Sequence, residues 1–222
     1  WWRGDTWPPR DMEMRRLYLA DLEGAPGPNA GGVLSGVKPL EEERVEWVHD
    51  PQALVPSLDE VPFRDLVGTL PDEVEVESRP DVLSFTAVAI QDSLDLLGPV
   101  RICLQVHADV RELQVVCKLI DVYPSGRARR IADGACTIAT PAPAEPVEFE
   151  LADIAYRLRP GHRLRLEVAA SCFPRYFPVI DSDGDSWMAL TGPKVLYTLS
   201  TDDIQDSYIE IPVVSGLSLT TS

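Results

Sequence analysis

Residues 114–134 constrain the fold more than any other stretch, because they have the pattern of a β-hairpin. An apolar, β-branched run at residues 115–123 is followed by Pro124-Ser125-Gly126 and then by a second strand-like run. Proline presets the φ angle of a turn and glycine accepts a positive φ, so this tripeptide is suited to reversing the chain. Nothing inside the hairpin has the pattern of an active site. We therefore predict a β scaffold, and any function has to be sought in that setting.

Regular strand patterns continue from residue 81 to the end of the chain. In residues 100–107, apolar side chains alternate with Arg101, Cys103, Gln105 and His107. Such alternation predicts a strand with one buried face and one face in water. Similar runs predict strands at residues 82–88, 147–151, 164–168, 195–199 and 208–214. The short helix predicted at residues 151–158 is an exception, and the pattern as a whole is typical of an all-β sandwich or jelly roll.

The first 80 residues are punctuated by proline and glycine and are predicted to be irregular, with short strands at residues 14–19, 44–48 and 74–77. They contain aromatic residues worth burying: Trp2, Trp7, Trp47 and Phe63. We therefore predict an ordered N-terminal arm packed on the sandwich, with disorder as the alternative. The arm (residues 1–80) and the sandwich (residues 81–222) are together expected to form one domain.

The net charge of −16 argues against nucleic acid or an anionic membrane as a partner, since phosphate binding needs clustered lysine and arginine. No apolar run is long enough to span a bilayer, and no signal-peptide pattern occurs. Without metal-binding spacing, the four cysteines are predicted to be buried free thiols. The chain begins with Trp1 rather than methionine, so we expect an excised segment of a longer protein or a processed product.

Catalytic patterns are missing from the sequence. The Gly-x-Ser-x-Gly elbow of an α/β-hydrolase nucleophile does not occur. Each histidine could be proposed as a base, but none has a visible partner. We predict that His107 lies on the surface and that His162 is a hydrogen-bonded structural residue at the start of a strand, while His49 is left without a role. No catalytic residue and no cofactor are predicted.

Two polar clusters invite a binding function. Residues 181–185 resemble the start of a calcium loop, but Ser186 and Gly192 stand where an EF-hand loop needs glycine and glutamate, so no metal is predicted. Three arginines follow the hairpin turn: Arg127, Arg129 and Arg130. We interpret them as part of a charge-balanced, solvent-facing strand, with an anion site as the alternative.

Several sequence blocks together resemble one known family. They are Glu46-Trp47-Val48-His49-Asp50-Pro51, Val55-Pro56-Ser57, Ser78-Arg79-Pro80-Asp81-Val82-Leu83, Leu97-Gly98-Pro99-Val100, Pro160-Gly161-His162-Arg163-Leu164, Phe173-Pro174-Arg175-Tyr176 and Ile211-Pro212-Val213. The most specific block is Lys118-Leu119-Ile120-Asp121-Val122-Tyr123-Pro124-Ser125-Gly126-Arg127-Ala128, with Asp133-Gly134 after it. These blocks resemble the C-terminal, non-catalytic domain of the X-Pro dipeptidyl-peptidase and cocaine esterase family of serine hydrolases.

The resemblance implies a jelly-roll β-sandwich, galactose-binding-domain-like, that packs against an α/β-hydrolase catalytic domain of the same polypeptide. In the family that other domain carries the Ser-Asp-His triad and hydrolyses acyl or peptide bonds, while the jelly roll helps to close the substrate cleft. The loop after Val55-Pro56-Ser57 comes nearest the substrate, which makes Phe63 and Leu66 the candidate cleft residues. The chain departs from the family pattern in this loop, at residues 59–62, and again at residues 181–184.

Other functions remain open at this level. The apolar residues of the 59–72 loop could instead be tucked onto their own domain. A carbohydrate- or ligand-binding jelly roll is the alternative function, and Trp187 is the aromatic residue that would test it. A self-sufficient enzyme is disfavoured because the elbow motif is missing. A homo-oligomer is also left open.

Overall fold

The computed structural model describes residues 5–27, 31–58, 72–139, 145–180, 191–202 and 206–214. Within them the chain forms thirteen strands, a 3-10 turn at Leu22–Gly24 and a single helical turn, α1, at Val74–Glu77. The strands are β1 (Met12–Ala20), β2 (Gly32–Ser35), β3 (Glu43–His49), β4 (Val82–Thr86), β5 (Leu94–Gly98), β6 (Arg101–Ala108), β7 (Glu112–Val122), β8 (Ala128–Ala139), β9 (Val147–Glu150), β10 (Ile154–Leu158), β11 (Arg163–Ala169), β12 (Val195–Thr201) and β13 (Tyr208–Val214).

The ladders follow the order β3-β12-β6-β13-β1-β2-β4-β11-β7-β8, with β9 paired to β6 and β5 paired to β13 and β10. Among the described ladders only β2 and β4 run parallel. Buried side chains from these strands meet in a large apolar core that contains Phe85, Leu104, Leu119 and Leu166. The predicted all-β sandwich is confirmed, and the galactose-binding-like label stays a prediction. No helix in the described part of the chain is long and apolar enough to cross a membrane.

The predicted hairpin is confirmed as β7 and β8. The Tyr123 N–H donates to the Arg127 carbonyl (2.8 Å), and the Gly126 N–H donates to the Tyr123 carbonyl (2.9 Å). Gly126 has a φ of 90°, which explains why the turn carries glycine there. The pairing register shifts between Leu119 and Ile120, so that β8 contains one extra residue at this point.

The first 80 residues contribute three strands to the ladders. β1 lies between β13 and β2, and β3 pairs with β12. The strands predicted at residues 14–19 and 44–48 are confirmed as parts of β1 and β3. The strand predicted at residues 74–77 is wrong, because these residues form α1. A helical turn places Glu73 and Glu77 on one side, where both reach cations of the sheet below.

The helix predicted at residues 151–158 is also wrong. The spacing of Leu151, Ile154 and Leu158 suits a helix face, but Leu151 lies in the connection after β9. Ile154 and Leu158 belong to β10, which pairs with β5 from Ile154–Gly98 to Leu158–Leu94. Cross-strand pairing therefore overrides the local helical spacing.

The face of β6 that was predicted to be exposed to solvent is only partly exposed. His107 is exposed as predicted, whereas Cys103 and Gln105 are buried. Neighbouring elements cover them: the Sγ of Cys103 lies 3.7 Å from Glu148 of β9, and the Ser207 hydroxyl accepts the backbone N–H of Gln105. All four cysteines are free, as predicted, with Cys136 half-buried and the other three buried.

Candidate functional site

The two residues predicted to face a substrate cleft, Phe63 and Leu66, lie outside the described residues. Residues 181–185 and Trp187 lie outside them as well. The chain on both sides of residues 59–71 is described, and its contacts show where that segment starts and ends.

Both ends lie on one face of the sheet formed by β4, β11, β7 and β8. We call it the outer face. It carries Lys118 and Glu167 and points away from the apolar core, into which the neighbouring side chains Leu119 and Leu166 project. A second, smaller apolar cluster covers part of this face and contains Val55, Val76, Val82 and Ala169.

The chain entering residues 59–71 is tied to the segment after β11. The Ser57 N–H donates to the Phe173 carbonyl (2.7 Å), and the Phe173 N–H donates to the Val55 carbonyl (2.9 Å). The Val55 N–H donates to the Ser171 hydroxyl (3.1 Å). These bonds hold the Val-Pro-Ser block as a short bridge beside the sheet.

The chain leaving residues 59–71 is tied to the start of β8. The Asp72 carboxylate accepts the Ala128 N–H (3.0 Å), and the Glu73 N–H donates to the Ala128 carbonyl (3.0 Å). Ala128 is the first residue of β8, two residues after the Pro124-Ser125-Gly126 turn. The hairpin therefore anchors one end of the predicted cleft loop.

A buried ion cluster lies directly beneath α1. The Lys118 ammonium lies 2.8 Å from the Glu73 carboxylate and 3.2 Å from that of Glu167, and all three residues are at most 3% exposed. Beside them, the Arg165 guanidinium pairs with the Glu77 carboxylate and donates to the Thr86 hydroxyl (2.8 Å). The contacts of Glu73 and Glu77 join the α1 segment to the sheet, so the cluster fixes the position of α1 on the outer face.

Burial sets the protonation of this cluster. Loss of hydration raises the pKa of Glu167 to about 8, and the Lys118 charge only partly opposes that change. Burial also acts against the charged form of Lys118, but the carboxylates of Glu167 and Glu73 outweigh it and raise the pKa of Lys118. Lys118 is therefore held in its charged form beside Glu73, while burial favours the protonated form of Glu167.

A second anchor on the outer face centres on Asp133, which is buried in β8. Its carboxylate accepts the Tyr176 hydroxyl (2.6 Å) and pairs with the Arg175 guanidinium, whose Nη2 lies 3.0 Å from Oδ1. Arg130 approaches the same carboxylate at 3.8 Å. The extra residue in β8 puts Arg130 on the same face as Asp133. Two of the sequence blocks, Asp133-Gly134 and Phe173-Pro174-Arg175-Tyr176, are thus in direct contact.

Beside this anchor the surface is apolar and exposed. Phe173 is 41% and Phe177 is 72% exposed, and their ring centroids lie 6.3 Å apart at an interplanar angle of 78°. The Phe177 carbonyl accepts the side-chain amide of Gln114 (2.8 Å). An exposed aromatic pair held by backbone contacts is typical of a surface that contacts another protein domain.

His162 has the role predicted for it. It lies at the start of β11, is 8% exposed, and its Nδ1 is 2.8 Å from Oδ1 of Asp121. The Tyr156 hydroxyl donates to the other oxygen of Asp121 (2.6 Å). Burial, followed by the nearby Asp121 carboxylate, raises the pKa of Tyr156. The Asp121–His162 contact matches the pair that orients a catalytic base in serine hydrolases.

A nucleophile is the part that this pair lacks. A cavity of about 200 Å³ adjoins it, and its described lining contains no serine, threonine or cysteine. Asp121 can orient the His162 imidazole, but the described lining supplies no serine, threonine or cysteine nucleophile for acyl transfer. The other two histidines are no closer to such a role. His107 is exposed, and His49 is buried with burial lowering its pKa and with no hydrogen-bond partner for Nε2 in the described structure.

The buried charges of the outer face were missed at the sequence level. Lys118 and Glu167 each stand between two apolar residues within a strand, and the sequence patterns predict no role for either. The long hydrophobic runs around them could have indicated this burial, because a strand that is covered on both faces has a nearly continuous apolar sequence. The described residues contain no group of three or more His, Cys, Asp or Glu side chains arranged to hold a metal ion.

Comparison with known proteins gives a consistent picture. Residues 1–208 match the sequence family described as the X-Pro dipeptidyl-peptidase C-terminal non-catalytic domain. The chain is 29% identical over 188 residues to cocaine esterase from Rhodococcus sp. (strain MB1 Bresler), a match that covers 79% of this chain and 33% of the esterase. The chain therefore spans about a third of that relative's length.

Two solved structures have the same fold. An aminopeptidase from a marine sediment archaeon, Thaumarchaeota archaeon, superposes with a TM-score of 0.78 at 22% identity, over 97% of this chain and 39% of its own. An α-amino acid ester hydrolase superposes with a TM-score of 0.74 at 26% identity, over 90% of this chain and 36% of its own. In each case the similarity again covers little more than a third of the larger protein.

Proposed function

The chain belongs to the family of X-Pro dipeptidyl-peptidase C-terminal non-catalytic domains, and on that premise we propose that it is the accessory β-sandwich of a larger serine hydrolase. The catalytic α/β-hydrolase domain of the same polypeptide would carry the Ser-Asp-His triad and hydrolyse acyl ester or peptide bonds. The observation that carries the proposal is the family match over residues 1–208. The separate match to cocaine esterase covers only a third of that relative's length.

The outer face explains how such a domain could help to close a substrate cleft. Both ends of the 59–71 segment are held on this face, one by the Ser57–Phe173 bridge and the other by Ala128 and the Lys118 cluster. Fixing both ends of a loop removes the entropy cost of bringing those ends together. We assign to Phe63 and Leu66 the contact with the substrate cleft of the catalytic domain.

The catalytic assignment is tested by assaying the 222-residue chain with an aryl ester and with an X-Pro anilide. We expect no turnover, because the nucleophile lies in the other domain. Turnover that a serine-directed inhibitor abolishes would overturn the proposal.

The cleft assignment is tested in the longer polypeptide. Phe63→Ala and Leu66→Ala should raise KM for the ester several-fold with a smaller change in kcat, because they remove contacts to bound substrate. Leu40→Ala is the matched control, since Leu40 is 89% exposed and lies away from this loop in the sequence. Equal effects of Leu66→Ala and Leu40→Ala would contradict the assignment.

The exposed aromatic pair is the surface that we assign to domain contact. Phe177→Ser in the longer polypeptide should lower the unfolding temperature of the catalytic domain, because it removes apolar area from the interface. The same substitution should leave the isolated chain almost unchanged, since the side chain is 72% exposed there. An equal loss in both settings would place the effect inside the sandwich.

We also infer that residues 1–80 and 81–222 unfold as one unit, as the strand order suggests. β1 is hydrogen-bonded on both sides within the ladders, to β13 and to β2. Tryptophan fluorescence and far-UV circular dichroism should therefore give coincident urea transitions. Two separate transitions would contradict a single domain.

Carbohydrate binding receives no support from the exposed phenylalanine pair. Phe173 and Phe177 are exposed, but their rings stand at 78° to each other and do not form a flat surface on which a sugar ring could stack. Glycan-array binding by the chain that is lost in Trp187→Ala would be needed to favour this alternative.

A further inference from the structure

The cavity of about 200 Å³ beside Asp121 lies at one end of the sandwich. Its wall combines side chains from β7, β8 and β10 with those of two loops: Asp121, Tyr123, Arg129, Tyr156, Arg159 and His162. Arg157 also borders it, but its guanidinium is held by Asp95 through two contacts of 2.6 Å. The cavity is therefore lined mainly by cations and aromatic rings, in a chain whose net charge is −16.

The carboxylate in this wall is already engaged. Both oxygens of Asp121 lie within 3.0 Å of His162 Nδ1, and one of them also accepts the Tyr156 hydroxyl. Asp121 and Arg129 are opposite each other in the β7–β8 ladder, yet no ion pair joins them within 4.0 Å in the described structure. The Asp121 carboxylate thus has its contacts with the Tyr156 hydroxyl and the His162 imidazole, and not with an arginine of the wall.

Two arginines of the wall have unused donors. The Nε of Arg129 is buried and has no hydrogen-bond partner among the described residues. No hydrogen bond or ion pair to a described residue engages the terminal N–H groups of Arg129, so they are open to a ligand acceptor in the cavity. Arg159 is exposed and forms no ion pair with a described residue. A guanidinium presents its N–H groups in a planar fork that matches a carboxylate.

We propose that this cavity binds the carboxylate of a small organic acid. Arg129 and Arg159 pair with the carboxylate, and the apolar body of the acid packs on the ring of Tyr123, which itself lies 4.5 Å from the His162 ring, centroid to centroid. At about 30 Å³ per water molecule, the space corresponds to roughly six or seven waters. That volume suits an acid of the size of benzoate.

The direct test is a titration of the 222-residue chain with sodium benzoate, followed by the imidazole signals in NMR spectra. The chain has three histidines, so two of them serve as internal controls. We expect a saturable shift of the His162 signal and none of the His107 signal, because His107 is exposed and lies outside the cavity wall. Sodium chloride at the same ionic strength should not reproduce the shift.

Three substitutions identify the groups that bind. Arg129→Gln and Arg159→Gln should each weaken benzoate binding about tenfold, as expected for loss of a charge-assisted hydrogen bond. Arg163→Gln is the matched control, because Arg163 is exposed, next to His162 in sequence, and not part of the wall. Arg159 is exposed, so its variant should fold even if loss of Arg129 perturbs the sandwich.

Several results would overturn the proposal. One is the absence of a saturable shift at His162 in the unsubstituted chain. A second is equal weakening by all three glutamine substitutions, which would show a general effect of charge. A third is tighter binding of inorganic phosphate than of benzoate, which would mean that the aromatic wall contributes nothing to recognition.

Discussion

The two faces of the β4–β11–β7–β8 sheet are equally buried but are stabilised differently. The inner face carries Leu119 and Leu166, both fully buried in the apolar core. The outer face carries Lys118 and Glu167, 3% and 2% exposed, beneath α1. Successive residues of the same strands therefore meet an apolar core on one side and a buried ion cluster on the other. Burial alone does not tell the two faces apart.

The difference lies in what each face contributes. Burying an aliphatic side chain stabilises the fold by about 1.5–3 kcal/mol, whatever the direction from which its neighbours approach. A buried ion pair adds little net stability, yet removal of one partner costs about 3–5 kcal/mol. The inner face therefore provides stability, whereas the outer face determines which segments can cover it. This selection of the covering segments is what fixes both ends of the 59–71 segment.

The largest effect is expected from breaking the outer face. Lys118→Met should lower the free energy of unfolding by about 3–5 kcal/mol, because it leaves Glu73 and Glu167 buried without their cation. Urea denaturation measures the loss. Lys38→Met is the control, since Lys38 pairs with Asp206 near the surface and should cost less than about 1 kcal/mol. Equal losses for the two variants would mean that the cluster has no special role.

The inner face should respond to lost volume. Leu119→Ala should cost about 3 kcal/mol, through lost transfer energy and the cavity that remains. Leu196→Ala, at a position that is 50% exposed, should cost less than about 0.5 kcal/mol. Urea melts at two pH values distinguish the faces, because the Leu119→Ala loss should not change with pH. A pH-dependent loss would show that the faces are coupled.

The outer face should also respond to pH. The folded-state pKa of Glu167 is about 8, above its ordinary value, so between these values the folded chain holds a proton that the unfolded chain releases. This stabilising contribution is complete at low pH and is lost as the pH rises through about 8. Glu167→Gln should reduce the loss of unfolding free energy between pH 6.5 and pH 8.5 by about 2 kcal/mol.

The comparison with Glu167→Gln is needed because a second group titrates with the opposite sign. Burial lowers the pKa of His49, so its contribution increases as the pH rises. The same pH dependence in the variant and the unsubstituted chain would exclude Glu167 as its source.

The smallest loss of stability is expected at the end of the sandwich, where Asp121 makes the inner face polar. Tyr156→Phe removes the hydrogen bond to Asp121 and should cost about 1.5 kcal/mol. Tyr123→Phe is the control, because its hydroxyl has no hydrogen-bond partner among the described residues, and it should be nearly neutral. Thermal melts are sufficient to measure both. A neutral Tyr156→Phe would show that His162 alone satisfies Asp121.

Local patterns predicted some elements accurately. The last strand has the predicted bounds, Tyr208–Val214, and the hairpin turn lies at Pro124-Ser125-Gly126. His162 was correctly interpreted as a hydrogen-bonded residue at the start of a strand, although its partner Asp121 could not be named. That partner is 41 residues away in the sequence, and no local pattern encodes such a contact.

Other elements were decided by their neighbours. Val74–Glu77 alternates like a strand, but it forms a helical turn that brings Glu73 and Glu77 to Lys118 and Arg165. The three arginines after the turn were treated as one cluster, and the structure separates two of them. Arg129 lines the cavity at the end of the sandwich, while Arg130 approaches Asp133 on the outer face. Their separation follows from strand alternation and from the extra residue in β8, which no composition reveals.

By itself the sequence determined the fold class, the family and the main hairpin, because alternation and turn chemistry act over a few residues. Only the tertiary structure decided that Lys118 and Glu167 are buried rather than exposed to solvent. Whether the second face of a strand meets water depends on what packs against it, and here the covering segments come from residues 50–58, 72–79 and 170–177. Charges on that face are retained in the interior because those segments bring the opposite charges with them.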